Sequence, residues 1–308
     1  MYPLVSVIMA TLNTDKKYLI TAIKSILDQT YKNLELIIVI DGGNDAEIIN
    51  NYFHDSRIKL IIHNQTKGLP YSLNEAIKIA KGKYIMRMDS DDISLASRIE
   101  KQVNYMEKYQ NIDILATYYQ QFGESNKKIK EKFINSTDVK CKLFFVNCIA
   151  HPSVMFRKES INTKNLFYNE NYAFSQDYEL WTRYPNVNIE ILPEICLLYR
   201  IHNKQVSTVK KDKQFELYKS ILIRNLKKLD LVDSDIKYLL ALNGKRRDIS
   251  IAELYDFVVS AINKNDLYHY YDQVRFRKIL LRQYSIYCIK CKNVLNLKFI
   301  KHIKYLFV

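Results

Sequence analysis

Three carboxylates stand within four residues in Asp89-Ser90-Asp91-Asp92, just after the apolar run Tyr84-Ile85-Met86. That run reads as a short buried strand. Carboxylates packed so closely repel one another, and burial raises the cost of their charge. A hard divalent cation removes both penalties, because Mg2+ or Mn2+ favours one or two carboxylates together with phosphate oxygens. The same residues also read as a solvated turn in which Asp92 or Ser94 caps the next helix. The residues around them decide between the two.

Asp41 closes another apolar run, Leu34 to Ile40, and opens the turn-forming cluster Asp41-Gly42-Gly43-Asn44-Asp45. It could accept hydrogen bonds from a base or a ribose, or simply belong to the turn. Asp177 lies in Ser175-Gln176-Asp177-Tyr178-Glu179-Leu180-Trp181, at the start of a helix that carries the only tryptophan. An acid there complements the helix dipole, and it could also act as a general base. His202 follows Tyr199-Arg200-Ile201 at the end of an apolar stretch; beside a metal it becomes a candidate ligand. Phosphate cradles of the glycine-loop kind are absent. Ala10-Thr11-Leu12-Asn13-Thr14 stands where a dinucleotide-binding G-x-G-x-x-G would be, and there is no P-loop. Phosphates must then be held another way, and a metal at Asp89–Asp91 is the candidate.

The elements that must position these residues alternate. Val5 to Thr11, Leu34 to Ile40, Ile58 to Ile62 and Tyr84 to Met88 read as strands. Helices are expected between them: Lys17 to Gln29, about Asp45 to Phe53, and one opened by Gly68-Leu69-Pro70 and closed by Gly82. This order predicts an α/β fold with a parallel sheet and right-handed crossovers. Ligands bind such sheets beyond the carboxyl ends of strands, where Thr11, Asp41 and Asp89–Asp91 all fall. Further on, the pattern predicts a helix from Ser94 to Tyr109, a strand from Ile112 to Tyr118, and a loop or edge hairpin around Gly123 to Lys132. Strands are expected at Phe144 to Cys148 and Ser153 to Phe156, a helix at Ser175 to Tyr184, and short strands at Ile189 to Leu192 and Leu197 to Ile201. From about Gln214 the chain has no proline and reads as helical, with breaks near Asp230–Asp233 and Asn243–Asp248.

Composition bounds the rest. With 308 residues and 48% apolar residues, the chain is globular and fits one large or two modest domains. A formal charge of +14 suggests an anionic partner. Five cysteines without framework spacing point to a reducing compartment, and the lone Cys288-Ile-Lys-Cys291 pair has no second pair with which to hold zinc. Leu4 to Ala10 lacks the basic flank of a signal peptide, and no uncharged run approaches the ~18 residues of a membrane span.

From Val5 to His202 the pieces resemble the family 2 glycosyltransferases of GT-A fold, and more narrowly the bacterial enzymes of O-antigen and capsular polysaccharide synthesis. The resemblance is carried by Ser6-Val7-Ile8-Met9-Ala10-Thr11, by Ser25-Ile26-Leu27-Asp28-Gln29-Thr30-Tyr31, by Gly68-Leu69-Pro70-Tyr71-Ser72-Leu73-Asn74 and by Ala80-Lys81-Gly82-Lys83-Tyr84-Ile85. Asp89-Ser90-Asp91-Asp92 followed by Arg98 and Gln102 carries it further, as do His151-Pro152-Ser153-Val154-Met155-Phe156-Arg157, Gln176 to Trp181, and Tyr199 to His202. Two places depart: Ile40-Asp41-Gly42-Gly43 where the family often has Asp-Asp-Gly-Ser, and Gln176-Asp177 where it often has Glu-Asp. The resemblance implies a mostly parallel, Rossmann-like GT-A domain over residues 1–210, and the composition beyond it leaves a helical, basic region over 211–308. It implies a UDP-sugar donor, inversion at the anomeric carbon, and Mn2+ or Mg2+ as cofactor. Thr11, Asn13, Asp41, Arg87, Asp89, Ser90 and His151 would then bind the nucleotide sugar, Asp91 and His202 the metal, and Asp177 would be the base. The acceptor would be a saccharide, carried by a lipid diphosphate. Rival readings are a sugar nucleotidyltransferase, whose glycine- and arginine-rich loop is missing, and a non-catalytic relative, against which Asp91, Asp177 and His202 speak. Nucleic acid is not expected, since no base-reading motif accompanies the charge.

The last expectation concerns the C-terminus. Lys264 to Val308 holds ten Lys or Arg and two Asp, a net +8 of the chain's +14. Tyr284, Cys288, Cys291, Leu295, Phe299, Ile303 and Leu306 recur at helical spacing, with Lys290, Lys301 and Lys304 opposite. The stripe either packs on protein or lies against an anionic membrane surface, and a mixture of the two is expected. The protein is expected in the cytoplasm, peripheral on the cytoplasmic face of the inner membrane.

Overall fold

The computed structural model describes residues 2–132, 134–203, 205 and 210–291. The chain divides into two compact units, one of residues 1–134 with 149–211, the other of residues 135–148 with those from 212 onward.

The first unit opens with β1 (Val5–Thr11), α1 (Lys16–Leu27), β2 (Leu34–Ile40), α2 (Asp45–Tyr52), β3 (Ile58–Ile62), α3 (Leu69–Ile79) and β4 (Tyr84–Asp89). β1 pairs in parallel with both β2 and β4, and β2 with β3. β1 and β2 are buried on both faces and largely apolar, Ser6 and Glu35 excepted. The register places Thr11 opposite Ile40 and Ala10 opposite Asp89, so three strands end at one edge. Gly82, just before β4, allows a close backbone approach: a Cβ there would lie 2.5 Å from the Ser6 nitrogen and 2.8 Å from the Leu4 oxygen.

Beyond β4 come β5 (Ile93–Ser94), α4 (Arg98–Lys108), β6 (Ile114–Gly123), β7 (Lys128–Ile129), α5 (Ser136–Lys142), β8 (Met155–Arg157), α6 (Lys158–Lys164), α7 (Gln176–Arg183) and β9 (Ile189–Ile201). The sheet runs β3-β2-β1-β4-β8-β6-β9-β5, with β7 paired to β6. Three expectations change here. α4 starts at Arg98, because Ser94 is occupied in pairing with Leu197; neither Asp92 nor Ser94 caps it, and the Ile99 N–H is taken instead by the distant Gln29 Oε1 at 3.1 Å. Ile189 to Ile201 is one strand, not two. Thr117 faces Leu192 and Tyr118 faces Ile195, so Pro193, which has no N–H to donate, sits in an irregularity of the ladder. Phe144 to Cys148 is not a strand. The Phe144 and Phe145 N–H groups bond back to Cys141 and Lys142 in a turn closing α5, and periodicity alone does not separate such a short apolar run from a strand.

The second unit holds α5 together with α8 (Lys211–Lys227), α9 (Ile236–Leu242), α10 (Ile251–Tyr268) and α11 (Gln273–Lys290). Asn225 donates to the Leu143 and Phe144 carbonyls at 3.1 and 3.2 Å, and Tyr218 to that of Phe145 at 3.1 Å, which ties the 135–148 segment into this unit. Of the described residues of the C-terminal stripe, Tyr284 and Cys288 face protein and Cys291 is half-buried. Tyr284 and Cys288 are fully buried, and the Tyr284 hydroxyl lies 3.4 Å from the Ile251 carbonyl. Leu295, Phe299, Ile303 and Leu306 lie outside the described residues. Among the described residues, no helix is long and apolar enough to cross a membrane.

Candidate functional site

The carboxyl ends of β1, β2 and β4 carry the acidic edge. Asp89, Asp91 and Asp92 each offer a carboxylate oxygen within 4.8 Å of the others. Each is held differently. Asp89 accepts from the buried Arg87 Nη2. Asp91 Oδ2 lies 3.0 Å from His202 Nε2. Asp92 Oδ1 accepts the Arg200 N–H at 2.8 Å, while its buried Oδ2 has no partner among the described residues. Burial, with Asp89 and Asp91 alongside, pushes the Asp92 carboxyl well above the usual carboxylate range. Three clustered carboxylates with a histidine and one orphaned oxygen match the donor set of a hard divalent cation, so Mn2+ or Mg2+ fits these residues.

The surroundings pin this edge. The Arg200 guanidinium lies between the rings of Tyr18 and Phe122, 3.9 and 4.3 Å from their centroids, and its Nε donates to the Asp91 carbonyl at 2.7 Å. Arg98, fully buried, donates to the Arg87 carbonyl at 3.1 Å and to Gln102 Oε1 at 3.0 Å. Gln102 in turn donates to the Leu115 and Ser153 carbonyls. Gln29 Nε2 donates to the Ser25 and Leu95 carbonyls at 2.8 and 2.9 Å, binding α1 to the segment after the acids. The residues that carry the sequence resemblance are thus largely side chains that satisfy buried backbone groups.

On the β1 and β2 side, Thr11 donates to Asp45 Oδ2 at 2.5 Å and contacts the Thr14 hydroxyl, which lies 2.7 Å from Ser90 Oγ. Asn13 is exposed, with a left-handed φ of 49°, and lies against Gly43: a Cβ on Gly43 would meet its Oδ1 at 2.1 Å. Asp41 is buried. It accepts the Lys67 and Gly68 N–H groups at 2.8 Å each, and His63 Nδ1 lies 2.9 Å from its Oδ1. Burial alone would raise its pKa, but these bonds more than offset it and the carboxyl titrates below its usual range.

The remaining candidates gather around Arg87. His151 is buried, with Nε2 2.8 Å from the Tyr168 hydroxyl, and burial beside the Arg87 charge holds it well below the usual histidine range, hence neutral. Tyr168 is held by Asn74 in a reciprocal pair of 2.9 Å bonds. Arg87 keeps Nε and Nη1 buried with no partner among the described residues. Asp177, half-buried at the start of α7, bears electrostatically on both Asp89 and Tyr168. The structure brings Asp89, Asp91 and His202 together and links Thr11 to Ser90 through Thr14, whereas His151 and Asp41 are buried and engaged by protein groups. Four further residues stand beside these candidates: Asp92, which the sequence offered as one of three clustered carboxylates or as a helix cap, and Asp45, Arg200 and His63, to which it gave no role. Asp92, Asp45 and Arg200 stand inside recognisable motifs, whereas His63 carries no signal beyond its place just after a strand.

The sequence pattern described as Glycosyl transferase family 2 matches residues 6–165. The chain is 40% identical over 210 residues to the O-antigen biosynthesis glycosyltransferase WbnJ of Escherichia coli, covering 65% of this chain and 81% of that one. It is 33% identical over 212 residues to the Escherichia coli UDP-Glc:alpha-D-GlcNAc-diphosphoundecaprenol beta-1,3-glucosyltransferase WfaP, covering 67% and 81%. Its fold is similar to the crystal structure of S. aureus TarS 1-349 in complex with UDP-GlcNAc, with TM-score 0.62, 16% identity and coverage of 94% and 88%.

Proposed function

The chain belongs to glycosyl transferase family 2, and on that premise we propose that it transfers a hexose or N-acetylhexosamine from a UDP-sugar, with inversion, to a saccharide on a lipid diphosphate carrier. The observation that carries this reading is the acidic edge of Asp89, Asp91 and Asp92, with Asp177 felt electrostatically at Asp89. A UDP donor is supported by the ligand of the TarS complex, and a lipid-linked acceptor by the activity in the name of WfaP.

Thr11, Asn13 and Asp41 would receive the nucleoside at the ends of β1 and β2, and Asp89, Ser90 and Arg87 the ribose and diphosphate side. His151, neutral and fixed by Tyr168, would back the sugar. Asp91 and His202, with the orphaned oxygen of Asp92, would hold Mn2+ or Mg2+. Such an ion, when bound, supplies Lewis-acid stabilisation of the charge that develops on the diphosphate. Asp177 would take the proton of the attacking acceptor hydroxyl, and a single displacement with inversion requires no nucleophile from the protein. The basic C-terminal unit would keep the protein peripheral on the cytoplasmic face of the inner membrane, where a lipid-linked acceptor lies.

The test is a panel of UDP-sugars incubated with Mn2+ and read as UDP release. One or two donors should be turned over, EDTA should abolish release, and Asp91→Ala should remove most of it. Undiminished turnover in EDTA would overturn the metal reading, and no turnover of any UDP-sugar would overturn the donor.

A further inference from the structure

His63 follows the last residue of β3 and is almost wholly buried between two carboxylates. Nδ1 lies 2.9 Å from Asp41 Oδ1, and Nε2 contacts Glu75 Oε2 on α3. An ionised carboxylate only accepts hydrogen bonds, so a ring nitrogen can engage either acid only as a donor. Both carboxyls titrate below their usual range, Asp41 for the reasons above and Glu75 chiefly through its bond to His63. The same junction is closed from other sides. The Thr66 hydroxyl donates to the Asp41 carbonyl at 2.9 Å, and the His63 N–H to the Ile40 carbonyl at 2.9 Å. The Tyr71 ring meets the imidazole edge-on at 5.7 Å, and Lys67 Nζ lies 4.5 Å over Tyr71. The Asp41 carboxylate is therefore clamped from three directions: Lys67 N–H, Gly68 N–H and the imidazole.

We propose that His63 is a positioning residue for the donor nucleotide: it ties the end of β2 to α3, so that Asp41 and the 63–68 loop are set before the nucleotide arrives. This rests on the reading that Asp41 lies at the nucleoside. A clamp of this kind acts on binding and leaves the chemical step alone, because His63 touches neither the acids of β4 nor Asp177 in any bond the structure records. A preorganised carboxylate costs less to order on binding than a loose one.

The two ring nitrogens allow a test that separates positioning from mere stability. An Asn amide nitrogen occupies roughly the place of Nδ1 and keeps a donor for Asp41; a Gln amide nitrogen occupies roughly the place of Nε2 and keeps one for Glu75. His63→Asn and His63→Gln are made in the full chain. UDP binding with Mn2+ is measured by calorimetry, donor KM and kcat on a UDP-sugar that the wild type turns over, and Tm by thermal unfolding. Loss of a hydrogen bond to a charged group predicts a roughly tenfold or greater weakening of UDP binding in His63→Gln, with donor KM raised in step and kcat within about twofold. His63→Asn should recover most of the binding at similar Tm. The proposal is overturned if His63→Gln binds UDP like the wild type, or if both variants lose binding equally and in proportion to their lost Tm. If the wild type itself bound no UDP, the donor reading would fall, and the role of His63 with it.

Discussion

Asp177→Asn keeps the size and polarity of the side chain and removes only its capacity to take a proton. If Asp177 is the base, kcat should fall by ~10²–10⁴ while UDP binding stays nearly unchanged. Steady-state kinetics beside calorimetry check this, and a wild-type kcat would move the base elsewhere. Other acids in the chain act on stability. The Arg57 guanidinium and backbone N–H beside Asp55 hold its carboxyl at about 2. In Glu35, burial works upward, but bonds from Lys59, Ser6 and the Lys81 N–H outweigh it and the carboxyl titrates below its usual range. A group whose folded pKa lies below its unfolded value stabilises above the unfolded pKa and loses that contribution as pH falls through the folded one. Tm should therefore drop as pH falls from about 4 to about 2, with Asp55 accounting for the most acidic part. Asp55→Asn should flatten the slope nearest pH 2. Asp55 is partly exposed, so the effect should shrink in high salt.

At the scale of elements, the site depends on how tightly β1 and β4 approach. Gly82→Ala would drive a methyl group against the backbone at Ser6, Leu4 and Tyr84. None of these atoms is the loose end of a side chain, so the strands themselves must shift. A loss on the order of 1–3 kcal/mol is expected, as for other overpacked positions, read from the urea midpoint at constant m. The register that sets Thr11 beside Ile40 and Ala10 beside Asp89 should loosen with it, so donor KM should rise as well. Unchanged stability would mean that the strand ends have slack. Glu35 adds to this junction: it accepts the Lys81 N–H at 2.7 Å and the Ser6 hydroxyl, which in turn accepts the Gly82 N–H at 2.8 Å.

For the whole molecule, the excess positive charge is the feature that reaches beyond the site. α11 carries Arg277, Lys278 and Lys290 exposed, whereas its apolar side, with Phe276, Tyr284 and Cys288, is buried. Membrane contact through this helix must then come from its basic face, and removing the helix would strip a packed element. The cleaner test is Lys278→Glu with Lys290→Glu in the full chain, in co-sedimentation with vesicles with and without anionic lipid. Each basic residue near such a surface contributes roughly 1 kcal/mol, so the pair should weaken binding at least tenfold, and raised salt should weaken the wild type. Equal, salt-insensitive partitioning of both proteins would exclude this face as an electrostatic anchor.

The alternation of β-branched runs with amphipathic segments was enough, by itself, to determine the parallel half of the sheet and the edge at which Thr11, Asp41 and Asp89 stand, because both follow from local periodicity and chain connectivity. Asp89, Asp91, Asp177 and His202 were marked as candidates because each stands just past or at the start of an element whose type its neighbours settle, and their proposed roles come from the family resemblance. Three things were decided only by tertiary structure. Phe144 and Phe145 read as strand but close a helix, since a short buried run has no period to reveal its backbone. Residues 135–148 join the C-terminal helices through Asn225 and Tyr218, partners more than seventy residues away. And Asp41, which read either as an acceptor for a base or ribose or as part of a turn, is enclosed by His63, Lys67 and Gly68, because a crossover returns the end of β3 to the end of β2. For residues 135–148 and for Asp41 the deciding contact is remote in sequence. No local pattern encodes it, and burial makes such contacts obligatory once the chain has folded.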